Sequence, residues 1–337
     1  MKAIAYRKAL PITDAESLID LELPDPTPGE HDLLVEVHAV SVNPVDTKVR
    51  KNMAPPEGEA KVLGWDVAGV VKAVGSKASL FKIGDRVWYA GSLIRPGANS
   101  ELHVVDERIV GHMPKSTDFV NAASLPLTTI TAYEMLFDRL AISEGEGSKG
   151  KTLMVIGAAG GVGSILVQLA RQLTGLTIIG TASRPETRSW LEDLGAHHVI
   201  DHSKPLSEEL KRIGIDNVDY IVSLNQTDSH WPQIVESIAP QGKIALIDDP
   251  EAIDVRMLKR KSASLHWEFM YTRSMFGTPD MIKQHELLDR VASLIDAGKI
   301  RTTVSENFGK INAENLKRAH ALIESHKSKG KIVLEGF

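Results

Sequence analysis

The chain of 337 residues contains no cysteine. That excludes disulfide frameworks, thiolate nucleophiles, iron–sulfur clusters and every zinc site that needs a cysteine ligand. Long apolar runs are missing too. No window reaches 18 uninterrupted apolar residues, and Met1 to Leu10 has no apolar stretch of signal-peptide length, so a soluble cytoplasmic protein without a membrane association is expected. Neither sign of charge forms a block: 39 Lys and Arg face 44 Asp and Glu, a net charge of −5, which argues against a nucleic-acid partner or a polybasic membrane surface. What is present, 42% hydrophobic and 25% charged residues, is the composition of a globular protein, and the length favours two domains. The partners to expect are small molecules.

The first third reads as β-rich. Asp32 to Val42 alternates and is rich in valine, Val67 to Val74 is similar, and Pro24, Pro26, Pro28, Gly29, Pro44, Pro55 and Pro56 punctuate the segment. Short strands with frequent turns predict a compact, barrel-like β domain. Helical patterning covers Ala122 to Leu140. Beyond it, apolar runs at Thr152–Ile156, Leu176–Thr181, His198–Asp201, Tyr220–Leu224 and Lys243–Ile247 are spaced for crossover helices, the rhythm of a parallel sheet covered on both faces. Helical segments follow near Asp280–Ala297 and Ala313–Ser325, and Lys331–Leu334 reads as a closing strand. The fold class is therefore α/β, a β-rich domain with a doubly wound parallel sheet.

The sharpest local signal is Thr152-Leu-Met-Val-Ile-Gly-Ala-Ala-Gly-Gly-Val-Gly163, a buried strand running into a glycine-rich turn that opens the helical segment Ser164 to Arg171. Such a turn lets backbone amides and the positive end of a helix dipole approach a pyrophosphate, although Ala158 stands at the first glycine position of the usual fingerprint. About 20 residues on, the second strand ends Thr181-Ala-Ser-Arg-Pro185, with no acid for a ribose 2′-hydroxyl. Ser183 and Arg184 suit a 2′-phosphate instead, so NADPH is expected over NADH.

At this point the chain resembles a known family. Val40-Ser-Val-Asn-Pro-Val-Asp46, Leu63-Gly-Trp-Asp-Val-Ala-Gly-Val-Val71, Val74-Gly75, Phe81-Lys-Ile-Gly-Asp-Arg-Val87, Gly97-Ala-Asn-Ser-Glu101, Ala122-Ala-Ser-Leu-Pro126, Thr131-Ala132, Gly160-Gly-Val-Gly163 and Gly330-Lys-Ile-Val-Leu334 follow the order of the medium-chain dehydrogenase/reductase superfamily, in its quinone oxidoreductase branch and among its "zinc-type alcohol dehydrogenase-like" proteins. The resemblance implies a GroES-like catalytic domain from residues 1–127 and 272–337, and a Rossmann NADPH-binding domain from 128–271, with nicotinamide and substrate meeting in a cleft between them. It implies a homodimer joined through the Rossmann edge strand, residues 263–270. It makes Asn43, Asp46, Trp65 and Tyr89 the catalytic candidates, with Lys48 a weaker one and Trp267, Phe269 and Met270 closing the apolar side of the pocket. Asn43, Thr129, Ala159, Gly160, Gly161, Val162, Ser183, Arg184, His202, Asn225, Ile247, Phe269 and Lys331 become the cofactor-binding candidates. For Asp46 two readings stand, a pocket residue and a cap on the following turn.

The same pattern speaks against zinc. The superfamily's catalytic zinc takes two cysteines and a histidine. Asn43 stands where the first cysteine falls, Gly64-Trp65-Asp66 replaces Gly-His-Glu, and the stretch from Val87 to Gly97 leaves no room for the four-cysteine structural lobe. His197, His198 and His202 cluster in sequence but flank one strand, where neighbours point to opposite faces, and His103, His112 and His266 read as packed side chains. The expected activity is zinc-independent, NADPH-dependent hydride transfer to a quinone or α,β-unsaturated carbonyl. A 2-enoyl thioester reductase, zinc-type alcohol dehydrogenase activity and a non-catalytic, crystallin-like NADPH-binding protein stay open. The first of these is disfavoured because no tyrosine follows Asn43-Pro-Val-Asp46 closely.

Overall fold

The computed structural model describes every residue from Met1 to Phe337. The chain folds into two compact units, Met1–Ile130 with Tyr271–Phe337, and Thr131–Met270.

In the first unit the alternating valines of Asp32–Val42 make one long strand whose inward positions Leu33, Val35 and Val37 are buried. It pairs antiparallel with Val67–Val74, with Leu102–Asp106 and with the carboxyl-terminal strand Lys331–Glu335. Arg86–Tyr89, Val110–His112 and Val304–Asn307 complete a seven-stranded sheet. A smaller sheet joins Lys2–Tyr6 to Ile19–Glu22 and Lys61–Val62. The last strand therefore returns to the first third of the chain, with Ile332 opposite Val42, and this register delivers Lys331 beside Asn43.

The second unit is one six-stranded parallel sheet. Numbering Thr152–Ile156, Thr177–Thr181, His198–Ile200, Val218–Ser223, Ile238–Leu246 and Ser264–Trp267 as one to six, the strands lie side by side in the order 3-2-1-4-5-6. That is the Rossmann arrangement, whose sheet is covered on both faces. Met154, Ile156, Ile179, Ile200, Ile221, Ile244 and Leu246 form its core. Continuous apolar runs rather than alternation mark these strands because neither face meets water.

The helical patterning of Ala122–Leu140 resolves into three pieces: Phe119–Ala123, Pro126–Tyr133 and a wide π turn over Glu134–Arg139. Pro126 has no amide hydrogen and restricts the residue before it, so the helix restarts there. Of Ala263–Met270 only Ser264–Trp267 is strand, at the sheet edge. No helix is long and apolar enough to cross a membrane.

Candidate active site

The parallel sheet gathers one group of candidates at its carboxyl ends. Strand Thr152–Ile156 ends in Gly157, held at φ +78°, and Gly160 begins helix Gly161–Leu173 with no side chain capping it. The first-turn amides of that helix are thus left for an anion, beside the half-buried Ala159, Gly160, Gly161 and Val162. Gly163 lies against the loop: a Cβ there would be 2.3 Å from the Ala158 carbonyl oxygen.

The neighbouring strand ends supply the rest. Ser183 and Arg184 are exposed just after Thr177–Thr181, and Arg184 Nε pairs with Glu186 at 3.3 Å. Arg184 is also the N-cap position of helix Pro185–Leu194, so its charge adds to that helix's positive end. His202 follows the adjacent strand, Ile200 being opposite Thr181, and stacks edge-on to His230 at 6.1 Å between ring centroids. Burial lowers the pKa of both rings, and Nδ1 of each has no hydrogen-bond partner. Asn225 follows Val218–Ser223 beside the loop, where a Cβ on Gly157 would come within 2.6 Å of its Oδ1. Ile247 is half-buried after the fifth strand and Phe269 is 48% exposed after the sixth. Six adjacent strand ends thus carry the phosphate loop, a cation, polar groups and an aromatic face, at the edge where open α/β sheets bind ligands.

A second group comes together in the β-rich unit, around a residue the sequence reading passed over. Asp66 is fully buried. Its Oδ2 accepts from Ser41 Oγ at 2.8 Å, Asn43 Nδ2 at 2.8 Å and Lys331 Nζ at 2.9 Å, and its Oδ1 from the Leu127 amide at 2.8 Å. The ammonium of Lys331, itself 3% exposed, also donates to Asn43 Oδ1 and to the Val42 carbonyl. The signal in the sequence was an acid inside the apolar run Leu63 to Val71, a position that has to be paired if buried. Asp46 lies nearby, accepting from the amides of Asn43 at 2.8 Å and Gly64 at 3.0 Å. Loss of solvent pushes its carboxyl up to about 7 against those bonds and the Lys331 charge, with Asp66 adding to the rise. Both oxygens of Asp46 therefore tie loop to helix start.

Trp65 and Tyr89 are wholly buried and occupied. The Trp65 indole donates to the Ser92 carbonyl at 3.2 Å and stands edge-to-face with Tyr271. Burial drops His103 to about 4, so its ring is neutral. Since the Pro96 carbonyl can only accept, Nε2 carries the hydrogen, and Nδ1 accepts from the Tyr89 hydroxyl at 3.0 Å. Thr129, in helix Pro126–Tyr133, is buried with an unpartnered hydroxyl, the kind of orphan a ligand satisfies. Lys48 is exposed on helix Pro44–Asn52 and Trp267 is 54% exposed, while Met270 is buried. His197 accepts from the Ile178 amide at 3.0 Å, a brace between strands.

Zinc does not fit the side chains present. Trp65 offers only an N–H, and Asn43 and Asp66 already satisfy the ammonium of Lys331. No cluster of three or more histidine and acidic side chains is arranged to hold a metal ion.

Comparison with known proteins finds two family matches, one within the first unit and one running from the parallel sheet into the carboxyl-terminal part of the chain. Residues 29–115 match the alcohol dehydrogenase GroES-like domain, and residues 194–334 match the zinc-binding dehydrogenase domain. A zinc-type alcohol dehydrogenase-like protein of Staphylococcus aureus is 41% identical over 339 aligned positions, 99% of each chain. Among solved structures, a protein of Rhizobium etli CFN 42 provisionally described as a zinc-dependent alcohol dehydrogenase is 55% identical, covering 100% of this chain and 98% of that one with a TM-score of 0.97. The Escherichia coli quinone oxidoreductase complexed with NADPH is 26% identical, covers both chains completely and has a TM-score of 0.85. A GroES-like unit with a Rossmann unit defines an oxidoreductase of the medium-chain dehydrogenase/reductase type. The chain belongs to that superfamily, with the zinc-type alcohol dehydrogenase-like proteins and beside the quinone oxidoreductases.

Proposed function

We propose that this chain is an NADPH-dependent reductase of quinones or α,β-unsaturated carbonyls that works without zinc. The observation that carries the reading is the row of sheet ends in which Arg184 follows the second strand, with no acid between Thr181 and Pro185, beside an uncapped glycine-rich helix start. The NADPH bound to the E. coli quinone oxidoreductase supports it.

In this reading the amides of Gly161 and Val162 hold the pyrophosphate, the Gly160 amide closing the loop onto the Gly157 carbonyl at 3.1 Å, while Ser183, Arg184 and His202 receive the 2′-phosphate. Asn225, Ile247 and Phe269 line the nicotinamide end. Bound NADPH supplies a hydride to an electrophilic carbon. The charge that builds on the substrate oxygen then needs a donor. Asn43 gives one amide hydrogen to Asp66 and keeps a second, which we assign to that oxygen. One placed donor is worth about 2.7–4 kcal/mol in such a role. Trp65, Tyr89 and Asp46 shape the surroundings through bonds already made. Dimerisation through residues 263–270 fits the position of Ser264–Trp267 at the sheet edge.

The test is a turnover panel of quinones, enones, enoyl thioesters, aldehydes and alcohols, each with NADPH or NADP+ and with the non-phosphorylated cofactors. NADPH oxidation with a quinone or enone supports the reading. The likeness to the Rhizobium etli protein favours a second one, alcohol oxidation with bound zinc. Alcohol turnover that rises with added zinc decides for the latter, and NADPH binding without turnover of any compound decides for a non-catalytic role.

A further inference from the structure

Lys331 is separated from Asn43 by 288 positions and from Asp66 by 265, yet its ammonium sits between them. An ammonium has three hydrogens, and three acceptors surround this one: the Val42 carbonyl at 3.2 Å, Asn43 Oδ1 and Asp66 Oδ2 at 2.9 Å. The charge is matched by the Asp66 carboxylate, and the group is shut off from solvent, with Lys331 3% and Asp66 0% exposed. Asn43 is held by the same arrangement in one amide orientation. Its Oδ1 faces the cation and its Nδ2 faces Asp66, whereas a flipped amide sets N–H groups against the ammonium.

We propose that the Lys331 ammonium is the resident cation of this polar centre, doing the organising work that a bound metal does in a zinc-dependent enzyme, and that Lys331 is a positioning residue acting through Asn43. The ligand this centre accepts, once the lysine side chain is shortened, is a primary alkylammonium ion. The cation assignment stands on geometry alone; only the effect on turnover rests on the proposed reduction.

Chemical rescue tests it. Lys331→Ala removes three methylenes and the ammonium, leaving room for propylammonium. The variant's thermal midpoint is expected to fall by about 10 °C, because it strands a buried carboxylate. Propylammonium chloride is expected to restore most of that loss, and tetramethylammonium chloride at the same concentration, which has no N–H, to restore none. In turnover with NADPH and a quinone, kcat is expected to fall more than KM and to recover with propylammonium in parallel. A Lys331→Ala midpoint within about 2 °C of the parent, or equal effects of the two salts, overturns the proposal. Thermal rescue in a protein that turns over no quinone keeps the cation assignment and rejects the reductase reading. Should Lys331→Ala fail to fold, Lys331→Met combined with Asp66→Asn is expected to yield folded protein, since no charge is then stranded. An insoluble double variant, or one less stable than Asp66→Asn by as much as Lys331→Met alone lowers the parent, overturns the proposal.

Discussion

The carbonyl oxygen of Ala158 lies 2.3 Å from the point that a Cβ on Gly163 would occupy. This is closer than any real contact, and the obstacle is backbone on the strand-to-helix turn, which cannot swing aside. Gly163→Ala therefore has to push helix Gly161–Leu173 off the sheet or distort the phosphate loop. The expected loss is about 1–3 kcal/mol of stability, as for an overpacked core, together with weakened NADPH binding. Thermal unfolding and a cofactor titration check both, and unchanged NADPH affinity contradicts the loop assignment.

Arg184 is the residue on which cofactor choice turns. Its side chain is 47% exposed and loosely paired with Glu186 at 3.3 Å, so it is available to a phosphate. Arg184→Ala is expected to raise the KM for NADPH by roughly ten-fold or more and to leave that for NADH nearly unchanged, because a charge-assisted contact is lost only where the 2′-phosphate is present. Equal changes for both cofactors contradict the assignment.

Glu268 gives a pH dependence. Arg139 Nε donates to it at 2.7 Å and lies 3.6 Å from the buried Glu134 through its other arm, so two acids share one guanidinium. Burial first, and the Glu134 charge second, push the Glu268 carboxyl well above the usual range, with Arg139 opposing. A raised folded value means that the native state holds a proton the unfolded state has lost. Stability contributed by this group is complete at acid pH and declines as pH rises from the ordinary glutamate value of about 4.3 toward the raised one. Glu268→Gln keeps a donor toward Glu134 and removes the titration. Its thermal midpoint is expected to fall less than the parent's over that interval, and parallel curves reject the raised Glu268 carboxyl.

The strands were legible where one physical rule governs them. Thr152–Ile156 and Asp32–Val42 have the bounds their apolar patterns predict, since burial on two faces or on one writes directly into the sequence. The loop glycines were legible as a tight turn from strand into helix, where Gly157 takes φ +78° and Gly163 lies against the Ala158 carbonyl. Asp66 was not, because its partners Asn43 and Lys331 lie 23 and 265 positions away and only the sheet register brings them together. The same holds for Glu134 and Glu268, whose pairing depends on a π turn that no periodicity announces. Lys331 reads from its motif as a cofactor ligand, and only the coordinates show its three hydrogens already committed inside the first unit.

The central claim is hydride transfer without zinc. It is tested most directly by measuring NADPH oxidation with a quinone before and after exhaustive chelation, on protein whose zinc content is assayed in the same sample. The account predicts a rate unchanged by chelation and far less than one zinc per chain. Stoichiometric zinc, with activity lost on chelation and restored by adding the metal back, would contradict it.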